Sequence, residues 1–388
     1  METNKTQTSS LFVLYILGFL FAFTSAIPAY TNSSFIESIT NKNAVGLIYS
    51  LGSVLSLITL ISIPKFLRKY GNYKVAIFFA IAYFLNFLSL AFSPSVYFIL
   101  FSFLISGSLT TVIYFNLDIF LEHDSNDQKT GSIRSFYLTS INLAWLISPW
   151  IAGTIVGDSS YRKLYLIVAL IIIPLIAIVA SKLKDFKDPE YNIFNVNESI
   201  KSLNLYKNIK YIICSGFLLQ FFYSWMVVYT PIYLHRYIGF DWGTIGLIFS
   251  IALLPFVILQ IPAGYIADKF LGEKEILTLG FVIISISTLS IPFIKSNNFI
   301  VWAAVLFMTR VGAAIVEVMN DTYFFKNVSD KNLNIINLYR TVAPISYIIS
   351  PIIATAVIFF LPFNSLFYIL GFLMLFGLRF SLAIKDTK

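Results

Sequence analysis

The sequence contains twelve apolar blocks, each about twenty residues long, separated by short polar stretches. A helix of that length can cross the hydrocarbon core of a membrane, which is about 30 Å thick. Inside lipid only helices and closed barrels satisfy their own backbone hydrogen bonds, and the alternating segments of a barrel are not seen. We therefore predict an all-α fold with twelve spans, at about 11–31, 44–64, 73–92, 95–118, 132–156, 162–182, 209–234, 243–265, 275–294, 298–321, 335–360 and 363–384.

Charged residues make up only 12% of the chain, about half the fraction usual in soluble proteins. They lie almost entirely between the apolar blocks, so the net charge of +8 forms no basic stripe of the kind that binds nucleic acid. Cys214 is the only cysteine, and the two histidines lie in loops on opposite sides of the membrane. We expect a lipid bilayer as surroundings and no nucleic-acid partner, metal or cofactor.

The basic residues orient the predicted helices. An even number of spans places both termini on one side, together with most of the 27 Lys and Arg residues. Cytoplasmic loops retain Lys and Arg, so we expect both termini in the cytoplasm. The Ile-, Asn- and Lys-rich composition favours a prokaryote and hence the plasma (inner) membrane. The loops on the opposite side hold only Lys42, Arg162, Lys163, Arg236 and Lys295.

The longest polar stretch, 183–208, separates the sixth and seventh spans and carries charges of both signs. We interpret it as a cytoplasmic linker between an N-terminal six-helix half, 1–182, and a C-terminal six-helix half, 209–388. A short amphipathic helix near 200–205 is one interpretation of part of it, and a solvated connector is the other.

The two halves repeat each other at an offset of 198 to 204 residues. VGLIYS at 45–50 corresponds to IGLIFS at 245–250, and IPAY at 27–30 corresponds to TPIY at 230–233. Three further matches follow in the same order: Ile63-Pro64 with Ile261-Pro262, Asn116 and Asp118 with Asn320 and Asp321, and Ser148-Pro149 with Ser350-Pro351. Two halves with the same orientation indicate a parallel duplication, and the substrate sites of such proteins lie between the halves.

The loop after the eighth span reads GYIADKFLGEK at 264–274. It resembles the signature G-x-L-A-D-[RK]-x-G-[RK]-[RK] of the major facilitator superfamily. The first copy, PKFLRKYGNYK at 64–74, keeps the glycine but has Arg68 where the family usually has Asp, and SPWIAG at 148–153 resembles the end of the family's helix-five motif. The resemblance implies two six-helix bundles that rock about a central cavity lined by helices 1, 4, 7 and 10.

Two charged residues lie inside the tenth span, which the resemblance turns toward the cavity. Arg310 and Glu317 are two helical turns apart, so they share one face with about 10 Å of rise between them. In one interpretation Arg310 binds an anionic or polar group of the substrate, and protonation of Glu317 couples transport to a proton gradient. In the other, the two form a buried pair that fixes helix packing.

Polar and aromatic side chains on other cavity helices are further candidates for substrate contact. Each has packing as its alternative role, because membrane helices also use Tyr and Trp at interfaces. They are Gln220, Tyr223, Trp225 and Tyr229 on the seventh span, Asn116 on the fourth, Ser25 and Tyr30 on the first, and Asn142 and Trp145 on the fifth.

A second group of candidates lies at the cytoplasmic ends of the helices. We expect Asp268 to meet Arg134 and the amino end of the fifth helix, where the helix dipole favours a carboxylate. Arg68 would need Asp321 as its partner. Such contacts would form a latch that closes the cytoplasmic side, and solvated loop charge is the alternative. Arg340, Gly264 and Gly272 complete this predicted latch.

The sequence thus predicts a secondary active or facilitative transporter that moves a small solute by alternating access. It is expected to act as a monomer, with protons as the candidate coupling ion. No phosphate-binding loop or cluster of catalytic side chains indicates an enzyme. The alternative is a non-transporting membrane sensor or receptor on the same scaffold, which an added soluble output domain would indicate.

Overall fold

The computed structural model describes most of the chain. Residues 2–124, 130–157, 160–189, 191, 203, 207–267, 269, 272–328 and 333–385 are described, and the side chains of 2–10, 123, 124, 130–132, 134, 135, 261, 333, 334 and 337 are not. The secondary structure of this described part is helical. Predictions that concern Asp268, the side chain of Arg134 or a helix at 200–205 lie outside it.

The helices before residue 183 are α1 to α7. Their bounds are Glu2–Ala26, Asn32–Ile39, Lys42–Tyr70, Asn72–Phe92, Val96–Asp124, Thr130–Val156 and Tyr161–Lys182. All but α2 correspond to predicted spans. The short α2 follows the first span directly, and its Asn32 side chain accepts a hydrogen bond from the Tyr165 hydroxyl at 2.8 Å.

The helices after residue 206 are α8 to α15. Their bounds are Lys207–Ile232, Trp242–Ile258, Gln260–Ile266, Glu273–Ser290, Phe299–Asn327, Leu333–Phe360, Ser365–Leu375 and Gly377–Ala383. The π-helical turn Tyr233–Ile238 extends α8, and the 3-10 turn Ile291–Phe293 extends α11. The eighth and twelfth predicted spans are each built from two consecutive helices, α9 with α10 and α14 with α15.

Eleven helical segments in the described part are long and apolar enough to cross a membrane. The first predicted span is present as the shorter apolar stretch Leu11–Ala26 within α1. The prediction of an all-α membrane protein is therefore confirmed. Several helices contain proline: α9 ends three residues after Pro255, and the π-helical turn begins two residues after Pro231.

The chain forms two compact units. Unit 1 comprises Met1–Ile39 and Leu51–Ile193, and unit 2 comprises Thr40–Ser50 and Phe194–Lys388. The segment Thr40–Ser50, which the sequence places in the N-terminal half, thus packs with unit 2. There the Ser50 hydroxyl donates to the Ile348 carbonyl at 2.9 Å.

Unit 1 is held by aromatic packing and by hydrogen bonds between helices. Phe21 of α1 lies 5.5 Å from the ring of Tyr83 on α4, and both side chains are buried. The Asn86 amide of α4 donates to Ser106 of α5 at 2.8 Å. In lipid the hydrophobic effect does not drive helices together, so close packing and such polar contacts hold them.

Unit 2 contains a close crossing of α11 and α12. A Cβ atom added to Gly312 would lie 2.7 Å from the Gly280 carbonyl oxygen, so only glycine fits at this position. Small residues at a crossing let two helix backbones approach closely, which maximises van der Waals contact. The crossing fixes α12, the helix that carries Arg310 and Glu317.

One turn occurs in both units. Gly71 precedes α4 and Gly272 precedes α11, and both have φ near +80°, a conformation that L side chains rarely adopt. The residue after each glycine, Asn72 or Glu273, is polar and fully buried. The repeat found in the sequence therefore includes a shared backbone conformation at this turn.

Replacing either turn glycine should destabilise its unit. Gly71→Ala and Gly272→Ala are each expected to lower the free energy of unfolding by about 1–3 kcal/mol because the new Cβ strains the backbone. Thermal unfolding in detergent measures this. Gly216→Ala is the control, since its Cβ would meet neighbours at an ordinary 3.6 Å. An equal effect of all three substitutions would show that backbone strain at positive φ is not the cause of the loss in stability.

Candidate functional site

Arg310 is buried in the middle of α12. The side chain is 2% exposed, and its guanidinium carbon lies 5.1 Å from the centre of the Phe222 ring on α8. Its Nη1 atom is buried and has no hydrogen-bond partner among the described residues. A cation over an aromatic face is stabilised by the ring quadrupole, but an unsatisfied guanidinium nitrogen in a membrane protein is costly. The guanidinium therefore keeps unused hydrogen-bonding capacity at Nη1.

Glu317 lies two turns further along α12 and is half-buried. The hydroxyl of Tyr223 on α8 donates to its Oε2 atom at 2.9 Å. In the described part of the chain, no ion pair joins Glu317 to Arg310. Both charged groups thus face neighbouring residues of α8, with the guanidinium over Phe222 and the carboxylate at Tyr223.

The aromatic side chain of Phe256 and the amide of Asn320 lie near Tyr223 and Glu317. Tyr223 lies 6.0 Å from the ring of Phe256 on α9. Asn320, one turn after Glu317, is 1% exposed, and neither of its side-chain polar atoms has a partner within the described residues. Arg310, Glu317 and Asn320 give α12 a polar face whose hydrogen-bonding capacity is only partly used. Asn320 was not among the residues that the sequence predicted for substrate contact, although Asn116, which corresponds to it in the repeat, was.

Two other candidates for substrate contact on the seventh span, Trp225 and Tyr229, donate hydrogen bonds to backbone carbonyls. Trp225 donates from Nε1 to the Ser350 carbonyl at 2.7 Å, and the Tyr229 hydroxyl donates to the Pro351 carbonyl at 3.3 Å. Both side chains are buried. These contacts tie α8 to α13 beside Pro351. Gln220 is half-buried, without a hydrogen-bond partner in the described part of the chain.

In unit 1 the predicted residues of the first and fifth spans meet around Tyr114. The Ser25 hydroxyl lies 3.2 Å from the Tyr114 hydroxyl, and Trp145 of α6 also lies close to that group. Tyr30 is buried in the turn between α1 and α2, and Asn142 is half-buried on α6. The structure therefore brings Ser25 and Trp145 together.

Asn116 lies apart from these residues, at the turn before α4. Its amide donates to the Asn72 side chain at 2.7 Å and to the Asn72 carbonyl at 3.1 Å, and the Asn72 amide donates back to the Asn116 carbonyl at 3.1 Å. Both residues are fully buried. Asn116 thus provides hydrogen-bond partners for Asn72, which is buried in the turn that Gly71 begins.

The first part of the linker completes this turn. Asp188 accepts from the Asn72 backbone N–H at 2.6 Å and from the Tyr191 hydroxyl at 2.6 Å, and Arg68 donates to the Tyr191 carbonyl at 3.0 Å. A carboxylate at a helix N-terminus is favoured by the free N–H groups and the helix dipole. Asp188 therefore supplies a carboxylate to this loop, in which Arg68 stands where the loop signature has Asp.

Burial, and after it the Asp188 carboxylate, raises the pKa of Tyr191 well above its ordinary value of about 10. The proton is held more tightly in the folded chain than in the unfolded chain. This contribution to stability is therefore complete below about pH 10 and is lost as the pH rises through the raised value.

The predicted latch residues of unit 2 are only partly described. Asp321 accepts a hydrogen bond from the Tyr339 hydroxyl at 2.7 Å, and Arg340 is exposed. Gly264 lies in α10, where an added Cβ would meet no atom within 4 Å. The latch between Asp268 and Arg134 stays a prediction.

A buried ion pair that the sequence analysis missed lies at the second turn. Glu273 has a fully buried side chain, and Lys326, at the end of α12 and 43% exposed, binds it at 2.5 Å. The signal was present in the sequence, because Glu273 follows the signature glycine as Asn72 follows Gly71. In each unit, the residue after this glycine is thus tied to the helix that carries the repeated asparagine.

Removing Lys326 should destabilise the protein more than removing the charge of Glu273. Lys326→Ala is expected to lower the free energy of unfolding by about 3 kcal/mol because it removes a cation from a buried carboxylate. Glu273→Gln should cost less, because solvent can hydrate the lysine that remains. Chemical unfolding in detergent compares them, with the exposed Lys295→Ala as control. The reverse order would contradict this account.

The comparisons with known proteins agree with the fold. The family model of the Major Facilitator Superfamily matches residues 14–243 and 212–387, which together span nearly the whole chain. No curated protein is similar enough in sequence to serve as a relative.

Two solved structures show the same fold at low sequence identity. A point mutant of the nucleoside transporter NupG superimposes with a TM-score of 0.79 at 12% identity, covering 96% of this chain and 99% of that one. A bacterial homolog of the human lysosomal transporter Spinster, in an inward-facing and unoccupied conformation, gives 0.77 at 9%, covering 97% and 96%. The resemblance expected from the loop signature is confirmed, and the chain belongs to the major facilitator superfamily of transporters.

Proposed function

We propose that this chain is a secondary transporter that carries a small anionic solute together with a proton, by alternating access of its two six-helix halves. Membership of the transporter family supports solute transport in general. The observation that carries the proposal further is the buried Arg310 guanidinium, whose Nη1 atom lacks a partner among the described residues.

Arg310 would bind the negative group of the solute. A guanidinium presents donors in a planar fork that suits carboxylate and phosphate oxygens, and such charge-assisted hydrogen bonds are about twice as strong as neutral ones. A solute anion would satisfy the nitrogen left open and neutralise the buried cation. Phe222 would hold the guanidinium plane in position through its ring face.

Glu317 would carry the coupled proton. An anion at Arg310 adds negative charge to the face of α12 that also bears Glu317, and like charges repel strongly where water is scarce. Uptake of a proton by Glu317 removes that repulsion, so solute and proton favour each other's binding. Tyr223 would stabilise the carboxylate whenever the proton is absent.

We also propose that the protein works as a monomer in the plasma membrane with both termini in the cytoplasm. The one-sided distribution of Lys and Arg supports this orientation. The latch between Asp268 and Arg134 would then act on the cytoplasmic side. Asp268→Asn should shift the accessibility of cytoplasmic-side residues to labelling reagents, and unchanged labelling with normal transport would exclude the latch.

Transport assays in proteoliposomes test the main proposal. A panel of labelled small carboxylates, phosphates and neutral solutes of similar size would be offered with and without an inward proton gradient. We expect accumulation of an anionic member only when the gradient is present. Gradient-independent accumulation, or transport of neutral members alone, would contradict the proposal.

A further inference from the structure

A second carboxylate lies one helical turn beyond Glu317 on α12. Asp321 follows Glu317 by four positions, so the two side chains project from the same face of the helix with Cβ atoms about 5–6 Å apart. Asp321 is also close enough to act on Glu317 electrostatically. A proton can pass between two carboxyl groups at this spacing, directly or through one water.

The two carboxyl groups differ in their access to water. Glu317 is half-buried, whereas Asp321 is exposed and lies nearer the end of α12 at Asn327. Asp321 therefore exchanges protons with the solvent more readily than Glu317 does. It stands between Glu317 and the water at the end of the helix.

A tyrosine hydroxyl binds each of the two carboxylates. Tyr223 of α8 donates to Glu317 at 2.9 Å, and Tyr339 of α13 donates to Asp321 at 2.7 Å. The ring of Tyr339 stacks on Phe324, with 4.2 Å between the ring centres, which holds its hydroxyl in place. The charge of Glu317 also acts on that hydroxyl, so Tyr339 lies close to both carboxyl groups.

The helices packed against α12 contribute the other titratable groups of this region. α9 has none, and those of α11 lie in its first turn, where Glu273 is bound to Lys326. The rest, within the described part of the chain, are Tyr265 on α10, Tyr347 and the exposed Arg340 on α13, and Arg310 on α12. Neighbouring carboxyl groups disfavour joint ionisation, so Glu317 and Asp321 readily share one proton.

We propose that Asp321 is the port through which the proton on Glu317 exchanges with water at the end of α12, and that Tyr339 positions the Asp321 carboxylate. The O–H bond of the Glu317 carboxyl group breaks and an O–H bond forms on Asp321, which then gives the proton to water, so both carboxylates are regenerated. This inference rests on the proposed coupling role of Glu317. It gives Asp321 a function other than the latch predicted from the sequence.

Proton exchange at Glu317 can be followed without any solute. The full-length protein in phosphatidylcholine liposomes would undergo a rapid pH jump while the infrared band of protonated carboxyl groups is recorded, and the part of the band lost in Glu317→Gln belongs to Glu317. Asp321→Asn should slow the relaxation of that part by about a hundredfold, which is what a positioned acid or base contributes to proton transfer. Asp185→Asn makes the same change at an exposed linker residue and should leave the relaxation unaltered.

Two further variants separate the port from a latch or a packing role. Asp321→Glu keeps a carboxyl group and should restore most of the rate. Tyr339→Phe should give an intermediate rate with an altered pH dependence, because it removes the hydroxyl that stabilises the ionised Asp321. Slow relaxation in Asp321→Asn that Asp321→Glu does not restore would overturn the port and favour a structural role.

The port and the coupling role of Glu317 fail in different ways. If Glu317→Gln removes no part of the infrared band, Glu317 carries no exchangeable proton, and both proposals are excluded. If it removes a part that relaxes equally fast in Asp321→Asn and in the unaltered protein, only the port is excluded.

Discussion

Arg310→Gln is expected to reduce transport of an anionic solute by about tenfold to a hundredfold, since one charge-assisted hydrogen-bonded contact contributes about 1.5–3 kcal/mol. The reason is the buried guanidinium with an open Nη1 atom, which glutamine cannot replace as a cation. The measurement is initial uptake into proteoliposomes over a range of solute concentrations. Arg310→Lys should lie between the two, because lysine keeps the charge and loses the planar fork.

Stability distinguishes this role from a packing role. A buried cation that is only partly satisfied costs free energy, so replacing it should leave the unfolding temperature unchanged or raised. Arg162→Gln, an exposed residue at the start of α7, is the matched control for transport. If Arg310→Gln lost stability and kept its uptake, Arg310 would be a packing residue and the proposed function would lose its main support.

Glu317→Gln is expected to abolish accumulation driven by a proton gradient while downhill exchange of solute continues. A gradient of one pH unit supplies about 1.4 kcal/mol per proton, so coupling of one proton to one solute supports about tenfold accumulation. The variant should equilibrate at a ratio of about one. Glutamine has nearly the same volume and can accept from Tyr223, so the fold around it should persist.

Two further variants sharpen this test. Tyr223→Phe removes the hydroxyl that donates to Glu317 and should shift the pH dependence of uptake without abolishing accumulation. Glu275→Gln alters an exposed carboxylate on α11 and should behave like the unaltered protein. Full proton-driven accumulation by Glu317→Gln would remove its coupling role, and protons would then have to be carried elsewhere or not at all.

Hydropathy and repetition predicted the fold because they depend on positions along the chain alone. A block of twenty apolar residues has to be a helix in lipid, whatever packs against it. For the same reason, hydropathy did not predict local breaks within the helices. The division of the last span at Phe376 and the π-helical turn after Pro231 alter local backbone geometry, to which average hydropathy is insensitive.

Polar contacts between distant residues could not be predicted in the same way. Tyr223 and Glu317 are 94 positions apart, and Trp225 and Ser350 are 125 apart. Whether a tyrosine or tryptophan meets a carboxylate, a backbone carbonyl or a solute depends on how each helix is rotated. Tyr223 and Trp225 were equally good candidates in the sequence, yet one meets an acidic side chain and the other braces a proline-containing helix.

The sequence by itself determined that this protein lies in a lipid bilayer, where its helical spans are, that its two halves repeat, and to which family it belongs. Each of these follows from local composition or from order along the chain. Only the tertiary structure decided which polar groups are satisfied. It places the Asn116 amide on Asn72, gives Glu273 a lysine, and leaves a nitrogen of Arg310 without a partner among the described residues. The physical reason is that a buried polar group has to find its partner in space, and helix packing brings together residues that the sequence keeps far apart.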